Sequence, residues 1–230
     1  NVIANRLKYP LNSVYRIMTT LERRKYVSKQ SGESVFVLSE KLLKLATPVA
    51  GEPAFIEMAL PKMRSLRDSS QETVLAGVLV GNEGVVLEQV EGLHSFSFRV
   101  NPGLRFPLHT AAPGKIFLSQ LEPKRRSSMI SKLNLAKFTS NTIVTPVGLE
   151  EEIQKVLDLG YAIDYEEEIK GQACIGAPVF GRNAKLAGSI WLVAPTNRLP
   201  KKQVPEVASM VMKSADEISL SLGNQFLRVA

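Results

Sequence analysis

An α+β chain of two unequal domains is what this sequence predicts, on three observations. Positive charge is concentrated in its first fifth: residues 1–50 carry nine Lys and Arg against three Glu, whereas the other 180 residues carry 20 bases against 19 acids. A cluster of Pro48, Gly51 and Pro53 follows that basic stretch and marks a domain boundary. Beyond it, helix-period segments bracket six short segments of strand character, the pattern of a mostly antiparallel sheet covered by helices. The domains are expected at residues 1–46 and 54–230, with 47–53 as linker.

In the first domain, Val2 to Leu7 reads as the end of a helix. Lys8-Tyr9-Pro10 breaks it, because the residue before a proline is driven out of the α region. Asn12 is the expected cap of the next helix, in which Val14, Ile17, Met18 and Leu21 recur at i, i+3, i+4 and i+7 as one apolar stripe. Tyr26-Val27 and Val35 to Leu38 read as a small hairpin, with Gly32 at its tip in the polar turn Gln30 to Glu33. Ser39 is expected to cap a further helix through Leu42, Leu43 and Leu45. Helix, turn, helix and hairpin make a winged helix-turn-helix, read here as lacking its first helix.

The second domain opens with a helix from Ala54 to Arg67, whose expected buried face is Phe55, Met58, Ala59 and Leu66. Thr73 to Val80 and Val85 to Val90 read as strands joined by Gly81-Asn82-Glu83-Gly84, good hairpin chemistry. Ser95 to Val100 alternates, with Phe96, Phe98 and Val100 on one side, and is expected as a third strand. Pro113 to Leu121, Pro123 to Leu133 and Pro146 to Leu159 read as helices with prolines in or near their first turns. Tyr161 to Tyr165, Ala173 to Phe180 and Lys185 to Val193 read as strands. A last helix is expected from about Lys201 to Leu222.

Composition narrows the function classes. With 44% hydrophobic and 22% charged residues and a mean hydropathy of +0.00, the chain reads as a soluble globular protein. No apolar run approaches the ~18 residues of a membrane helix. No leader of a basic start followed by an apolar stretch is visible. The single cysteine, Cys174, allows no internal disulfide, which suits a reducing, cytoplasmic setting. Zinc is not expected from His94 and His109 without cysteines beside them, and no cofactor is expected.

The net charge of +7 falls almost wholly on the first module, the asymmetry of a nucleic-acid reader joined to a neutral domain. A recognition helix needs short polar and planar side chains to reach base edges, with basic ones around them for phosphates. Asn12, Ser13, Tyr15 and Arg16 supply the first kind, with Thr19 on the same polar face; Lys8, Arg23, Lys25 and Lys29 supply the second. The plainer reading is a solvated face, or a protein-binding module. Enzyme signatures are thin. His109 to Lys115 is shaped like a phosphate loop but has His109 for its first Gly and Ile116 for its Ser or Thr. The run Asp164, Glu166, Glu167, Glu168 could hold acid/base carboxylates but reads more simply as a solvated turn. Cys174, in an apolar strand, reads as a buried, inert thiol.

Pro10-Leu-Asn-Ser-Val-Tyr-Arg16 with Leu21 and Tyr26-Val27, then Phe106-Pro-Leu-His-Thr-Ala-Ala-Pro-Gly-Lys115, then Gly160-Tyr161 through Asp164, Glu166, Glu167, Gly171, Cys174, Ala177, Pro178-Val179 and Pro195 together resemble the isocitrate lyase regulator (IclR) family of bacterial transcription factors. The resemblance covers essentially the whole chain, in order and at matching spacing. It implies a winged helix-turn-helix joined by a linker helix to a GAF-like effector domain, homodimers or homotetramers on operator DNA, and a small molecule, often a carboxylic acid, that adjusts binding.

The resemblance also implies where the effector sits. Family pockets hold their ligand by backbone N–H groups at the start of the helix of the Gly-Lys motif, by an Asp and a Cys, and by two hydroxyl residues on the last strand. The matching positions are Ala112 and Pro113, Asp164 and Cys174, and Trp191 and Val193. Proline has no N–H, and Trp191 and Val193 replace both hydroxyls. A small carboxylate such as glyoxylate or pyruvate loses most of its partners, so the expected effector has an apolar body and a hydroxyl or amine for Asp164. Two rivals stay open: an enzyme with a DNA-binding tail using Asp164 or Glu167 as base, and a sensor filled by the Trp191 ring that serves assembly only.

Overall fold

Alternation along the strands decides which of two cores each residue joins. In the strand Leu186–Pro195, Ile190, Leu192 and Ala194 enter one core, while Trp191 and Val193 enter the other. The computed structural model describes residues 2–29, 35–39 and 55–224. They fall into two compact units, Asn1–Ala54 and Phe55–Ala230.

In the first unit α1 (Val2–Leu7) ends where Lys8 turns left-handed, φ 53°. Helix α2 (Leu11–Arg23) starts directly after Pro10, whose carbonyl accepts the N–H groups of Ser13 and Val14. Asn12 is therefore inside the first turn and is not the cap: Pro10, fixed in extended φ/ψ, occupies the cap position with no side-chain bond. The apolar stripe narrows to Val14, Met18 and Leu21, since Ile17, at the stripe's edge, is 51% exposed. A left-handed Lys25 then directs the chain into β1 (Val27–Lys29), which pairs antiparallel with β2 (Phe36–Leu38) in the register Val27↔Leu38. The hairpin thus begins at Val27, because Tyr26 N–H still bonds the helix at Leu21 O. The tip with Gly32, the helix through Leu42, Leu43 and Leu45, and the linker 47–53 lie outside the described residues. The Ser39 hydroxyl donates to the Lys25 carbonyl.

The second unit is a six-stranded, wholly antiparallel sheet between two helical layers. Its elements are α3 (Phe55–Ser70), β3 (Thr73–Val80), β4 (Glu83–Val90), β5 (Arg105–Phe106), α4 (Ala112–Ser119), α5 (Pro123–Ile130), α6 (Pro146–Leu159), β6 (Ala162–Tyr165), β7 (Gln172–Phe180), β8 (Leu186–Pro195) and α7 (Val204–Ser221). The strand order is β5-β4-β3-β8-β7-β6. Ala59, Met63 and Leu66 of α3 and Ala208, Val211, Ala215 and Ile218 of α7 cover one face. Ile116 and Phe117 of α4 and Leu149, Ile153 and Val156 of α6 cover the other.

One strand is not where the alternation put it. Ser95–Val100 carries no ladder; the sixth strand is the two-residue edge β5. The backbone of that segment is satisfied by side chains instead. Arg198 Nη2 donates to Phe96 O at 3.1 Å, Thr73 Oγ1 donates to Phe98 O at 2.9 Å, and Val100 N–H donates to Gln89 Oε1. Backbone groups so paired have no need of a neighbouring strand. Helix α6 runs between the two expected ends: Thr145 Oγ1 accepts from Gly148 N–H at 3.1 Å, and Gly160, φ 79°, closes it in the left-handed conformation.

Candidate functional site

On the α4 side of the sheet, register aligns one row across four strands: Asp164 pairs with Cys174, Cys174 with Val193, and Val193 with Thr73. The next row on that face runs from Gly176 through Trp191 to Leu75. The Trp191 ring needs room that two glycines provide. A Cβ at Gly77 would stand 2.4 Å from Val85 O and 3.0 Å from the Trp191 ring, and one at Gly176 would stand 3.3 Å from Trp191 Cβ. The ladder irregularity between Ala76 and Gly77 falls at this point.

Above the two rows lies a cavity of about 130 Å³, lined by Asp164, Glu168, Cys174, Trp191, Val193 and Pro113 together with Phe98, Phe106, Ala111 and others. Phe106 meets Trp191 edge-on at 5.5 Å between centroids and stacks on Phe117. The irregular segment, tied down by Thr73 and Gln89, brings Phe98 and Val100 over one side. The loop from Glu166 to Gly171 closes another. It is pinned at the Thr142 hydroxyl, 2.6 Å from Glu167 O, and at Thr110 Oγ1, which donates to Glu168 Oε2 at 3.2 Å. Of the six expected effector positions, five line this cavity. Ala112 is fully buried behind it, and its neighbour Ala111 lines it instead.

The acidic run is not a solvated turn. Asp164 is 1% exposed and Glu167 8%. Burial pushes Asp164 up to about 6, against the Glu167 N–H that donates to its Oδ1 at 2.8 Å and the nearby Lys115 charge. Burial also raises Glu168, and it holds the Cys174 thiol well above its ordinary range, so the thiol is neutral. Among the described residues lining the cavity none is Lys, Arg or His.

Reading the sequence missed the support behind the site. Lys115, in the wholly buried α4, has no exposed surface, and its ammonium donates to Ile163 O at 2.7 Å, Glu167 Oε1 at 2.5 Å and Glu152 Oε1 at 3.3 Å. Burial raises Glu167 to about 7 against the pull of Lys115, and its Oε2 has no hydrogen-bond partner among the described residues. Glu152 is lowered, because Lys115 and Lys155 outweigh its own burial. A lysine inside Ala-Ala-Pro-Gly-Lys-Ile-Phe-Leu was the available signal: a cation in an apolar helix must be paired. His109, 1% exposed, bonds Ala136 O through Nε2 at 3.0 Å and stacks on Phe138.

In the first unit Lys8, Asn12, Ser13, Tyr15, Arg16, Thr19, Arg23 and Lys29 are all exposed. Asn12, Arg16, Thr19 and Arg23 repeat at i, i+4, i+7 and i+11, so they share the face of α2 opposite Val14, Met18 and Leu21. Thr19 Oγ1 already donates to Tyr15 O at 2.9 Å, leaving it an acceptor for a partner. Lys8 stands in the turn before α2 and Lys29 at the end of β1. Among the described residues no group of three His, Cys, Asp or Glu could hold a metal ion, and no helix is long and apolar enough to cross a membrane.

Residues 50–220 match the family model described as bacterial transcriptional regulator IclR C-terminal. The transcriptional repressor IclR of Escherichia coli is 26% identical over 223 residues, 96% of this chain and 81% of that one. The HTH-type transcriptional regulator BhcR of Paracoccus denitrificans is 28% identical over 220 residues, 96% of this chain and 79% of that one. The crystal structure of an IclR homologue from Microbacterium hydrocarbonoxydans, complexed with 4-hydroxybenzoate, superposes with a TM-score of 0.80 at 20% identity, covering 96% of this chain and 89% of the other.

Proposed function

The chain belongs to the IclR family of bacterial transcriptional regulators, and on that premise we propose how its residues divide the work. As a regulator of this type it binds DNA, and a small-molecule effector in the C-terminal domain modulates that binding. The reading element is the exposed face of α2: Asn12, Ser13, Tyr15, Arg16 and Thr19 meet base edges, while Lys8, Arg23 and Lys29 meet phosphates. Residues 1–46 form the DNA-binding domain, 47–53 the linker and 54–230 the effector domain. A single module of this size covers one half-site, so the working form is a homodimer or homotetramer, and its place is the cytoplasm.

The effector site is the cavity of Asp164, Cys174, Trp191 and Val193. The observation that carries this reading is the character of that cavity: apolar and aromatic walls, a buried carboxylate at Asp164, and no basic side chain in the lining. Glyoxylate or pyruvate would meet two carboxylates and a helix start without the Pro113 N–H, so neither is the effector. A ligand with an apolar body and one hydroxyl or amine fits. 4-Hydroxybenzoate, in the M. hydrocarbonoxydans homologue, shares the apolar ring and the hydroxyl but also carries a carboxylate, the group that this lining disfavours.

The chain works by binding and not by turnover. Glu167, one conceivable base, spends its Oε1 on Lys115 and does not line the cavity. Asp164 lines it, but beside a neutral thiol and apolar side chains that offer no activated nucleophile. The test is calorimetry on the full chain with glyoxylate, pyruvate, 4-hydroxybenzoate and 2-phenylethanol, beside gel shifts on the DNA upstream of its own gene. Binding of 2-phenylethanol in preference to the three carboxylates, and a specific shift, are expected. Micromolar binding of glyoxylate or pyruvate, or no DNA shift, would overturn the reading.

A further inference from the structure

We propose that the effector is a cation: a small primary ammonium on an aromatic or branched apolar body, held between the Asp164 and Glu168 carboxylates and the rings of Phe98, Phe106 and Trp191. The inference rests on the reading of this cavity as the effector site and adds the sign of the ligand's charge.

The first ground is a charge count. Among the described residues two carboxylates line the cavity and no cation does. The charged and titratable groups facing Asp164 are Lys115 of α4, Glu167 and Glu168 of the loop, and Cys174 of β7; His109, before α4, faces Glu168. Lys115 pulls on Asp164 from behind the wall, but its ammonium is itself paired with Glu167 and Glu152 and does not line the cavity. The start of α4 contributes roughly half a positive charge, with one of its N–H groups missing at Pro113. The cavity is thus net negative, and an anionic ligand would enter against the field.

The second ground is the wall. Three aromatic side chains line so small a space, and aromatic faces attract a desolvated cation through the ring quadrupole. The third is stoichiometry of bonds. An ammonium has three donors and no acceptor, while the polar atoms at that end of the cavity are chiefly carboxylate oxygens: Thr110 Oγ1 donates to one oxygen of Glu168, and the backbone N–H groups of Glu167 and Glu168 turn towards Asp164. At about 130 Å³ the cavity is small, which suits a ligand of one ring or a short branched chain.

The experiment titrates the full chain at pH 7 with phenethylamine, tyramine and isoamylamine, beside 2-phenylethanol and phenylacetate, following calorimetric heat and the fluorescence of Trp191, the single tryptophan. At least one amine should bind about tenfold or more tighter than 2-phenylethanol, and phenylacetate should not compete, as expected for a charge-assisted contact. Asp164→Asn and Glu168→Gln keep the acceptors for Glu167 N–H and Thr110. Each should weaken the amine about tenfold and 2-phenylethanol, which makes only a neutral hydrogen bond, clearly less. Alcohol or carboxylate binding as tightly as the amines would overturn the cation and leave the effector site standing. Binding of none of the five compounds would overturn both.

Discussion

Asp164 and Cys174 stand directly opposite each other in the β6/β7 ladder, and both side chains reach the same cavity. That pairing puts a carboxylate with 1% exposure beside a thiol that burial and the carboxylate together keep neutral. Such an arrangement costs stability, and it is the kind of cost retained at a binding site.

Asp164 carries that cost in a pH-dependent form. Its folded value is about 6, above the ordinary carboxylate value, so between roughly pH 4 and 6 the folded chain holds a proton that the unfolded chain has lost. Stability therefore falls as pH rises through that window. Asp164→Asn should be more stable than the parent at pH 7 by about 1–3 kcal/mol, with the gap shrinking towards pH 4. Urea unfolding at both pH values measures it; a variant less stable at pH 7, with the cavity intact, would contradict the assignment.

Lys115 and Glu167 form the buried pair behind the site. Lys115→Met leaves Glu167 facing an apolar interior without its partner, a loss of about 3–5 kcal/mol. Replacing both, Lys115→Met with Glu167→Leu, should recover most of it, because an apolar pair of similar volume needs no desolvation. Chemical denaturation of the two variants decides; equal loss in both would show that the pair does more than satisfy itself.

Gly77 sets the room for the Trp191 ring. Gly77→Ala brings a Cβ against Val85 O, which is backbone and cannot swing away, and should cost about 1–3 kcal/mol and blunt ligand binding. Gly181→Ala is the control: its nearest neighbours lie at 3.9 Å, and the change should stay within about 0.5 kcal/mol. Thermal melts compare them.

How legible this was in the sequence differs by element. Helix α6 could be read at both ends because Thr145-Pro146 and Gly160 punctuate it chemically. The winged module was legible through Pro10 and the spacing of Val14, Met18 and Leu21, but Asn12 as cap was not, since Pro10 already occupied the position. Ser95–Val100 misled because alternation of Phe96, Phe98 and Val100 is shared by strands and by a segment pinned through Thr73, Gln89 and Arg198. Pro113, Asp164, Cys174, Trp191 and Val193 were assembled by family resemblance. Phe98, Phe106 and Glu168 could not be, because only register and tertiary packing bring them there. The partners of Lys115 lie 37 and 52 residues away, beyond any local pattern.

Arg16 and Lys29 should separate the two modes of DNA contact. Arg16→Ala should weaken binding to the upstream site by about 1–3 kcal/mol and relax its preference over random DNA. Lys29→Ala should weaken all sequences alike and flatten the salt dependence by about one unit. Anisotropy titrations at several salt concentrations check both; unchanged binding in folded variants would take this face off the DNA.

Affinity for the upstream DNA, measured on the full chain by fluorescence anisotropy with the cavity empty and with it saturated, tests the account most directly. The ligand is whichever of phenethylamine and 2-phenylethanol gives calorimetric binding. Saturation should change DNA affinity by about fivefold or more, a coupling typical of two linked sites. If the ligand is phenethylamine, Asp164→Asn should bind DNA as the parent does and respond only at higher amine concentration. A cavity shown by calorimetry to be full, with DNA affinity unchanged, would contradict the account.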